Sequence, residues 1–157
     1  MLIQFKTWDS NKCGPHIQIS QDGLTATKVN TTSWNSAVFG TQPIFGTFKV
    51  KIINRVGGNI MIGLVSPQQM NVNGNNFNNG HFIYAAGNFH GLNKSPTAVS
   101  MGNIGNGSIV SVNYDSNRKE ISFSIDNNNP VVAFTNVNGP LYPALDIHDQ
   151  GAVVSLV

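Results

Sequence analysis

Hydrophobic and polar residues alternate with a period of two in several short segments of the chain. Ile121, Phe123 and Ile125 alternate with polar residues, and the segments 47–52 and 110–114 repeat the pattern. Because successive side chains of a strand point to opposite faces of a sheet, each of these segments is predicted to be a half-buried strand. The periodicity of 3.6 that marks an amphipathic helix is not seen over any long stretch.

A different pattern occurs at 60–65, where every residue except Gly63 is apolar. Such a run predicts a central strand that is covered on both faces. With turn signals such as Asp22-Gly23 between them, the segments add up to about eleven short strands. This number favours an all-β fold, a β-sandwich of two antiparallel sheets. The predicted strands are 16–20, 24–29, 33–39, 47–52, 60–65, 81–85, 110–114, 120–125, 131–134, 141–145 and 152–157.

Two connections, 66–80 and 86–107, are long for hairpins. Long ordered loops on a rigid scaffold are frequent binding sites. For 66–80, which contains an asparagine-rich tract, a functional loop and a low-complexity insertion are equally open. For 86–107 a functional role is favoured, because Phe89 and His90 are aromatic side chains in a connection.

Composition narrows the class of protein. Of the 157 residues only 10% are charged, the formal net charge is +2, and 22 are asparagine. This excludes a coiled coil and a chain disordered by high net charge. The cations are scattered, so no nucleic acid is expected as a partner. No segment approaches the length of a membrane span, and no signal peptide is visible.

The single cysteine, Cys13, favours a reducing compartment, so the expected location is intracellular, either cytoplasmic or nuclear. We expect one domain over 1–157 that is monomeric in isolation. The chain ends within the apolar segment 155–157, which fits either a terminal strand in a sheet or a domain cut from a longer protein.

The sequence carries none of the common signatures of catalysis. No G-x-S-x-G, H-E-x-x-H, P-loop or C-x-x-C motif occurs. Asp146, His148 and Asp149 form the one acidic–histidine cluster, and on a strand at most Asp146 and His148 converge. Zinc takes three or four ligands, so a solvated turn is favoured over a metal site. We expect no enzyme activity, no metal and no cofactor.

The order of motifs resembles the SPRY domain, the C-terminal half of the B30.2 module. The I-S-F block at 121–123 and the L-Y-P-A block at 141–144 are the most specific matches. The family's Trp-Glu pair is Phe48-Lys49 here, and no N-terminal PRY segment is visible. The remaining matching segments lie at 16–20, 22–27, 46–52, 60–64, 80–84, 107–115 and 151–157.

The resemblance implies a concanavalin-like sandwich that is non-catalytic and recognises a protein or peptide through loops at one end. It also implies a role as the recognition part of a larger assembly, such as a ubiquitin ligase. The matching residues are mostly strand residues, so no family binding residue can be transferred to this chain.

We therefore chose candidate binding residues from the long loops and from the turn 126–130. Aromatic anchors concentrate binding energy, and amides can hydrogen-bond a peptide backbone. Trp34 is a weaker candidate, because we expect it to be buried at a strand edge. The predicted ligand-binding residues are Asn73, Phe77, Asn88, Phe89, His90 and Asn128.

A carbohydrate-binding, lectin-like domain is the alternative. Sandwiches of this kind also bind sugars by stacking a sugar ring on an aromatic side chain, for which Trp8, Trp34 and His90 are candidates. Only seven acidic residues are present, which counts against a Ca²⁺-dependent lectin.

Overall fold

The computed structural model describes residues 6–91 and 100–157. Within these residues the fold is all-β, as predicted, with two antiparallel sheets and two single-turn 3₁₀ helices. The strands are β1 (Trp8–Cys13), β2 (Ile17–Ile19), β3 (Thr25–Lys28), β4 (Ala37–Gly40), β5 (Gly46–Asn54), β6 (Ile60–Val65), β7 (His81–Tyr84), β8 (Phe89–Gly91), β9 (Ile109–Asp115), β10 (Glu120–Ile125), β11 (Val131–Phe134), β12 (Tyr142–Ile147) and β13 (Val153–Leu156).

The two sheets have different sizes. The six-stranded sheet has the order β1-β4-β12-β6-β7-β8, and the seven-stranded sheet has the order β11-β10-β9-β5-β13-β3-β2. In the seven-stranded sheet, Phe48 of β5 lies opposite Val112 of β9, which lies opposite Phe123 of β10. This register puts the alternating apolar side chains of three strands in one row on the inner face, as the period of two requires.

The main core fills the space between the two sheets, and β6 also faces a second cluster. Ile60, Ile62 and Leu64 point into the main core. Met61 and Val65 of the same strand lie on the outer face of the six-stranded sheet, in a separate apolar cluster. The prediction of a strand covered on both faces is therefore confirmed for 60–65.

The outer face of the six-stranded sheet is covered by the connection 66–80, which contains the 3₁₀ helices Pro67–Gln69 and Asn76–Asn78. The backbone N–H of Ala37 in β4 donates to the carbonyl oxygen of Val72 at 2.9 Å. Gly74 has φ 94°, and a Cβ there would lie 2.5 Å from the carbonyl oxygen of Trp34. Only glycine fits this close approach in a left-handed conformation.

Two strands were missed in the sequence, and one was placed too early. β1 has the polar sequence WDSNKC and pairs only with β4, with a register shift between Trp8 and Cys13, so it shows no period of two. β8 is a three-residue strand at the other edge of the same sheet. The strand predicted at 33–39 begins at Ala37, which leaves Trp34 in the connection before it. No helix in the described part of the chain is long and apolar enough to cross a membrane.

Candidate functional site

Five aromatic side chains form a continuous, half-buried surface on the outer side of the six-stranded sheet, which we call the aromatic patch. Ring centroids of Trp34 and Phe77 are 5.0 Å apart, and those of Trp34 and His148 are 5.1 Å apart. His90 lies 6.5 Å from Phe77 and 5.8 Å from Tyr84. The members are Trp34, Phe77, Tyr84, His90 and His148, and all five are partly exposed.

Each ring of the patch comes from a different segment of the chain. Trp34 lies between β3 and β4, Phe77 in the 3₁₀ helix Asn76–Asn78, and Tyr84 at the end of β7. His90 lies in β8, and His148 directly follows β12. The patch thus exists only in the folded chain, and its shape depends on what holds these segments together.

Lys28 connects the segment that carries Trp34 to the segment that carries His148. Its side chain is only 1% exposed, and its Nζ donates to the carbonyl oxygens of Ser33 at 2.5 Å, Ile147 at 2.6 Å and His148 at 3.2 Å. The three acceptors use all three N–H bonds of the ammonium group. Burial lowers the pKa of Lys28, and the nearby carboxylates of Asp149 and Asp146 oppose that shift.

Asp146 anchors the connection 66–80 to β12. Its carboxylate is fully buried and accepts hydrogen bonds from the backbone N–H of Asn76 at 2.7 Å and from Nδ2 of Asn76 at 3.2 Å. Burial raises the pKa of Asp146 to about 6, although the hydrogen bonds from Asn76 act in the opposite direction. This contact positions Phe77, the residue that follows Asn76.

Asp149 connects the other side of the patch. Its Oδ1 lies 2.7 Å from Nδ1 of His148, which donates to it, and its carboxylate accepts from Nδ2 and the backbone N–H of Asn59. The hydroxyl of Tyr84 donates to Oδ1 of Asn59. Burial opposes ionisation of Asp149, but the bonds from His148 and Asn59 prevail and lower its pKa.

The structure brings together two of the residues predicted for binding, Phe77 and His90, as neighbouring members of the patch. Asn73 is exposed on the connection 66–80, and Asn88 is exposed in the turn between β7 and β8. Both are in segments that supply patch residues. Part of the predicted loop 86–107, residues 92–99, lies outside the described residues.

The structure places Phe89 in the core, whereas the prediction of an aromatic anchor for a ligand requires it on the surface. Its side chain is 6% exposed and belongs to the main core, with its ring 5.5 Å from Phe123 and 6.4 Å from Phe134. Alternation along β8 explains the difference, because His90 faces outward and Phe89 therefore faces inward. A ligand cannot reach Phe89 without opening the core.

Asn128 and Trp8 are not part of the patch either. Asn128 is exposed in the turn after β10, in the seven-stranded sheet, where its backbone N–H donates to the carbonyl of Ile125. Trp8, a candidate for sugar stacking, is 2% exposed and lies in the main core.

Two features of the site differ from what the sequence predicts. Trp34 was expected to be buried at a strand edge, but it is half-buried in a connection, where its ring contacts Phe77 and His148. The segment 146–149 was expected to be a solvated turn, but Asp146 and Asp149 are buried and hydrogen-bonded. No group of three histidine, cysteine, aspartate or glutamate side chains within 6–91 and 100–157 could hold a metal ion.

The fold of this chain is similar to the folds of several solved protein domains. The chain superposes on the SPRY domain of human HERC1 with a TM-score of 0.75, 19% identity and coverage of 95% of this chain and 96% of that one. For the PSpry domain of TRIM65 the TM-score is 0.73, with 14% identity and coverage of 98% and 92%. For the neuralized NHR1 domain of Drosophila melanogaster it is 0.66, with 16% identity and 96% coverage of both chains.

The family model of the SPRY domain matches residues 46–156. The chain therefore belongs to the SPRY family, as its motifs indicated. Domains of this family are generally protein-interaction modules without catalytic activity. A comparison of the sequence with curated proteins finds no significant match.

Proposed function

We propose that this protein is a non-catalytic module that binds a peptide segment of a partner protein through the aromatic patch. The observation that carries the proposal is the position of five half-buried rings from five separate segments on one face of the sandwich. Aromatic side chains with one exposed edge are the residues in which protein interfaces concentrate binding energy.

The network beneath the patch supports the same proposal. Lys28, Asp146 and Asp149 are buried and hydrogen-bonded, so the segments that carry Trp34, Phe77 and His148 are held in place before a ligand arrives. A preorganised surface avoids part of the entropic cost of binding. Asn73 is exposed in the connection that carries Phe77, and Asn88 is exposed in the turn before the strand that carries His90. Both side chains would hydrogen-bond the ligand backbone.

The test is selection of a random peptide display library on the purified protein, followed by titration of the selected peptides. Trp34→Ala is expected to weaken them by about tenfold or more, as for an interface hot spot. Phe45→Ala is the matched control, because Phe45 is 41% exposed and lies at the other end of β12 from the patch. Phe45 follows Ile44, which hydrogen-bonds Leu141 just before β12 begins, whereas the patch lies where β12 ends.

Equal loss of affinity in both variants, or none in Trp34→Ala, would contradict the proposal. A glycan array provides the second arm. Specific glycan binding that depends on Trp34, without any peptide binding, would favour the lectin-like alternative.

We further propose that the module serves as the recognition part of a larger assembly such as a ubiquitin ligase. This rests on the SPRY resemblance alone. Pull-down from the native cells with wild-type protein and the Trp34→Ala variant tests it. A ligase subunit retained by both proteins, and a second protein lost only with Trp34→Ala, is the expected result. Absence of any ligase component would contradict it.

A further inference from the structure

The charges beneath the aromatic patch do not cancel. Asp146 is fully buried and Asp149 is 6% exposed. Within the described residues, Lys28 is the cation that interacts electrostatically with both carboxylates. Two carboxylates and one ammonium give a formal charge of −1 when all three are ionised and His148, whose Nδ1 lies 2.7 Å from Asp149, is neutral. This charge lies under a surface that has no lysine or arginine among its five members.

Lys28 also neutralises the carboxylates only from a distance. Its three N–H bonds are directed at the carbonyl oxygens of Ser33, Ile147 and His148, so none is left for Asp146 or Asp149. The carboxylates are instead hydrogen-bonded by the amides of Asn76 and Asn59 and by the ring of His148.

The rings above add negative potential of their own. The faces of tryptophan, tyrosine and phenylalanine attract cations, and the attraction grows when the cation is partly removed from water. Each buried carboxylate is one or two hydrogen-bonded residues from a ring of the patch. Asp149 bonds His148 directly and reaches Tyr84 through Asn59, and Asp146 bonds Asn76, which precedes Phe77.

We propose that the patch takes a cationic side chain, a lysine or arginine of the bound peptide, as its principal anchor. This inference rests on the proposed function, because it names the chemistry of the ligand at the same site. An acidic side chain would be repelled by the buried carboxylates and by the negative faces of the rings. An apolar side chain would pack against the rings but would gain nothing from the negative charge of the buried carboxylates.

The direct test uses small probes and the tryptophan signals. The chain has two tryptophans, so the indole N–H resonances of Trp34 in the patch and Trp8 in the core serve as site and reference. We would titrate N-acetyl-lysine methylamide, the arginine analogue, the norleucine analogue and the glutamate analogue. The lysine or arginine probe should shift the Trp34 signal with an affinity about tenfold above norleucine, a difference of roughly 1.4 kcal/mol. The Trp8 signal should stay in place.

A matched pair of variants separates the charge from the rings. Asp149→Asn removes the carboxylate charge beside His148 and should bring the cationic probes down to the affinity of norleucine. Asp126→Asn is the control, because Asp126 is exposed and its Oδ1 accepts from the N–H of Ile109, in the seven-stranded sheet. Binding of norleucine or glutamate as tight as that of lysine and arginine would overturn the proposal.

Peptide selection distinguishes this inference from the proposed function. Peptides whose binding depends on Trp34 but that lack lysine and arginine would overturn the cationic anchor and leave peptide binding intact. Selection of no peptide that depends on Trp34 would overturn both.

Discussion

Asn76 offers the sharpest test of the idea that the asparagine-rich connection 66–80 is an ordered part of the fold. Its side chain makes three hydrogen bonds: Nδ2 donates to the carbonyl oxygen of Asn71 at 2.7 Å and to Oδ1 of Asp146 at 3.2 Å, and Oδ1 accepts from the N–H of Asn71 at 2.8 Å. Asn76→Ala removes all three, while the bond from its backbone N–H to Asp146 remains possible.

The expected loss of stability follows from these partners. A lost hydrogen bond costs about 1 kcal/mol, and a buried charged group that loses a donor costs about 1.5–3 kcal/mol. The sum for Asn76→Ala, with two bonds to Asn71 and one to the carboxylate of Asp146, is about 3.5–5 kcal/mol of unfolding free energy. For a chain of this length such a loss lowers the melting temperature by roughly 7–20 °C. Urea denaturation monitored by circular dichroism would measure it.

Asn73→Ala is the matched control, because Asn73 is an exposed asparagine of the same connection. Its substitution should change stability by less than about 0.5 kcal/mol. If the Asn76→Ala and Asn73→Ala variants unfold alike, the connection does not contribute ordered packing. The interpretation of 66–80 as a low-complexity insertion would then be preferred.

A second readout localises the effect. The N–H of Ala37 donates to Val72 in the connection, so its hydrogen exchange reports whether the connection stays on the sheet. We expect faster exchange at Ala37 in the Asn76→Ala variant than in the Asn73→Ala variant. Unchanged protection in both would refute the proposed contact between Asn76 and Asp146 as the anchor.

Three further substitutions test the core and the buried charges. Phe89→Ala should cost about 3–5 kcal/mol in urea denaturation, since its ring lies in the main core; a loss under about 1 kcal/mol would contradict that place. Lys28→Met should cost about 3 kcal/mol, because three carbonyls lose their donor; unchanged stability would refute that role. Because the pKa of Asp146 is raised from 3.8 to about 6, the folded chain holds the proton more tightly, so this group's contribution to stability falls by roughly 3 kcal/mol as pH rises from about 3 to 7. Asp146→Asn should remove that slope, and below about pH 4 the lowered pKa of Asp149 should still make stability rise with pH. A stability difference between the two proteins that stays constant over the range would contradict the assignment.

Most strands of the two sheets could be predicted from the sequence because each of them carries its own pattern of apolar residues. β9 and β10 alternate between buried and partly exposed residues along their whole length. β1 could not be found in this way, because it is a polar strand at the edge of a sheet with an irregular register. Its pairing with β4 depends on position in the fold and not on a local period.

The candidate site was less accessible because its contacts join distant parts of the chain. Asn76 and Asp146 are seventy positions apart, so nothing near either residue shows the contact. The period of two correctly puts Asp146 on the outer face of β12. That face would be solvated on an uncovered sheet, and the connection 66–80 buries it.

The same reasoning explains why the sequence placed Trp34 incorrectly. A strand starting at 33 would make Trp34 one of its residues, whereas the strand starts at Ala37. The residues before it are held by Lys28, which bonds the carbonyl of Ser33, and by the N–H of Ser33, which donates to the carbonyl of His148 at 3.0 Å. Neither contact has a local signature.

The positions that hold the patch are therefore separate from the positions that face a ligand. Lys28 bonds the carbonyls of Ser33 and His148, and Trp34 and His148 are the rings that these bonds place 5.1 Å apart. A substitution at Lys28 should weaken binding by letting the rings separate, together with a loss of stability. A substitution at Trp34 removes contact area and leaves the bonds of Lys28 in place. Binding and unfolding measured on both variants thus distinguish a surface that is built by the polar layer from one that forms by local packing alone.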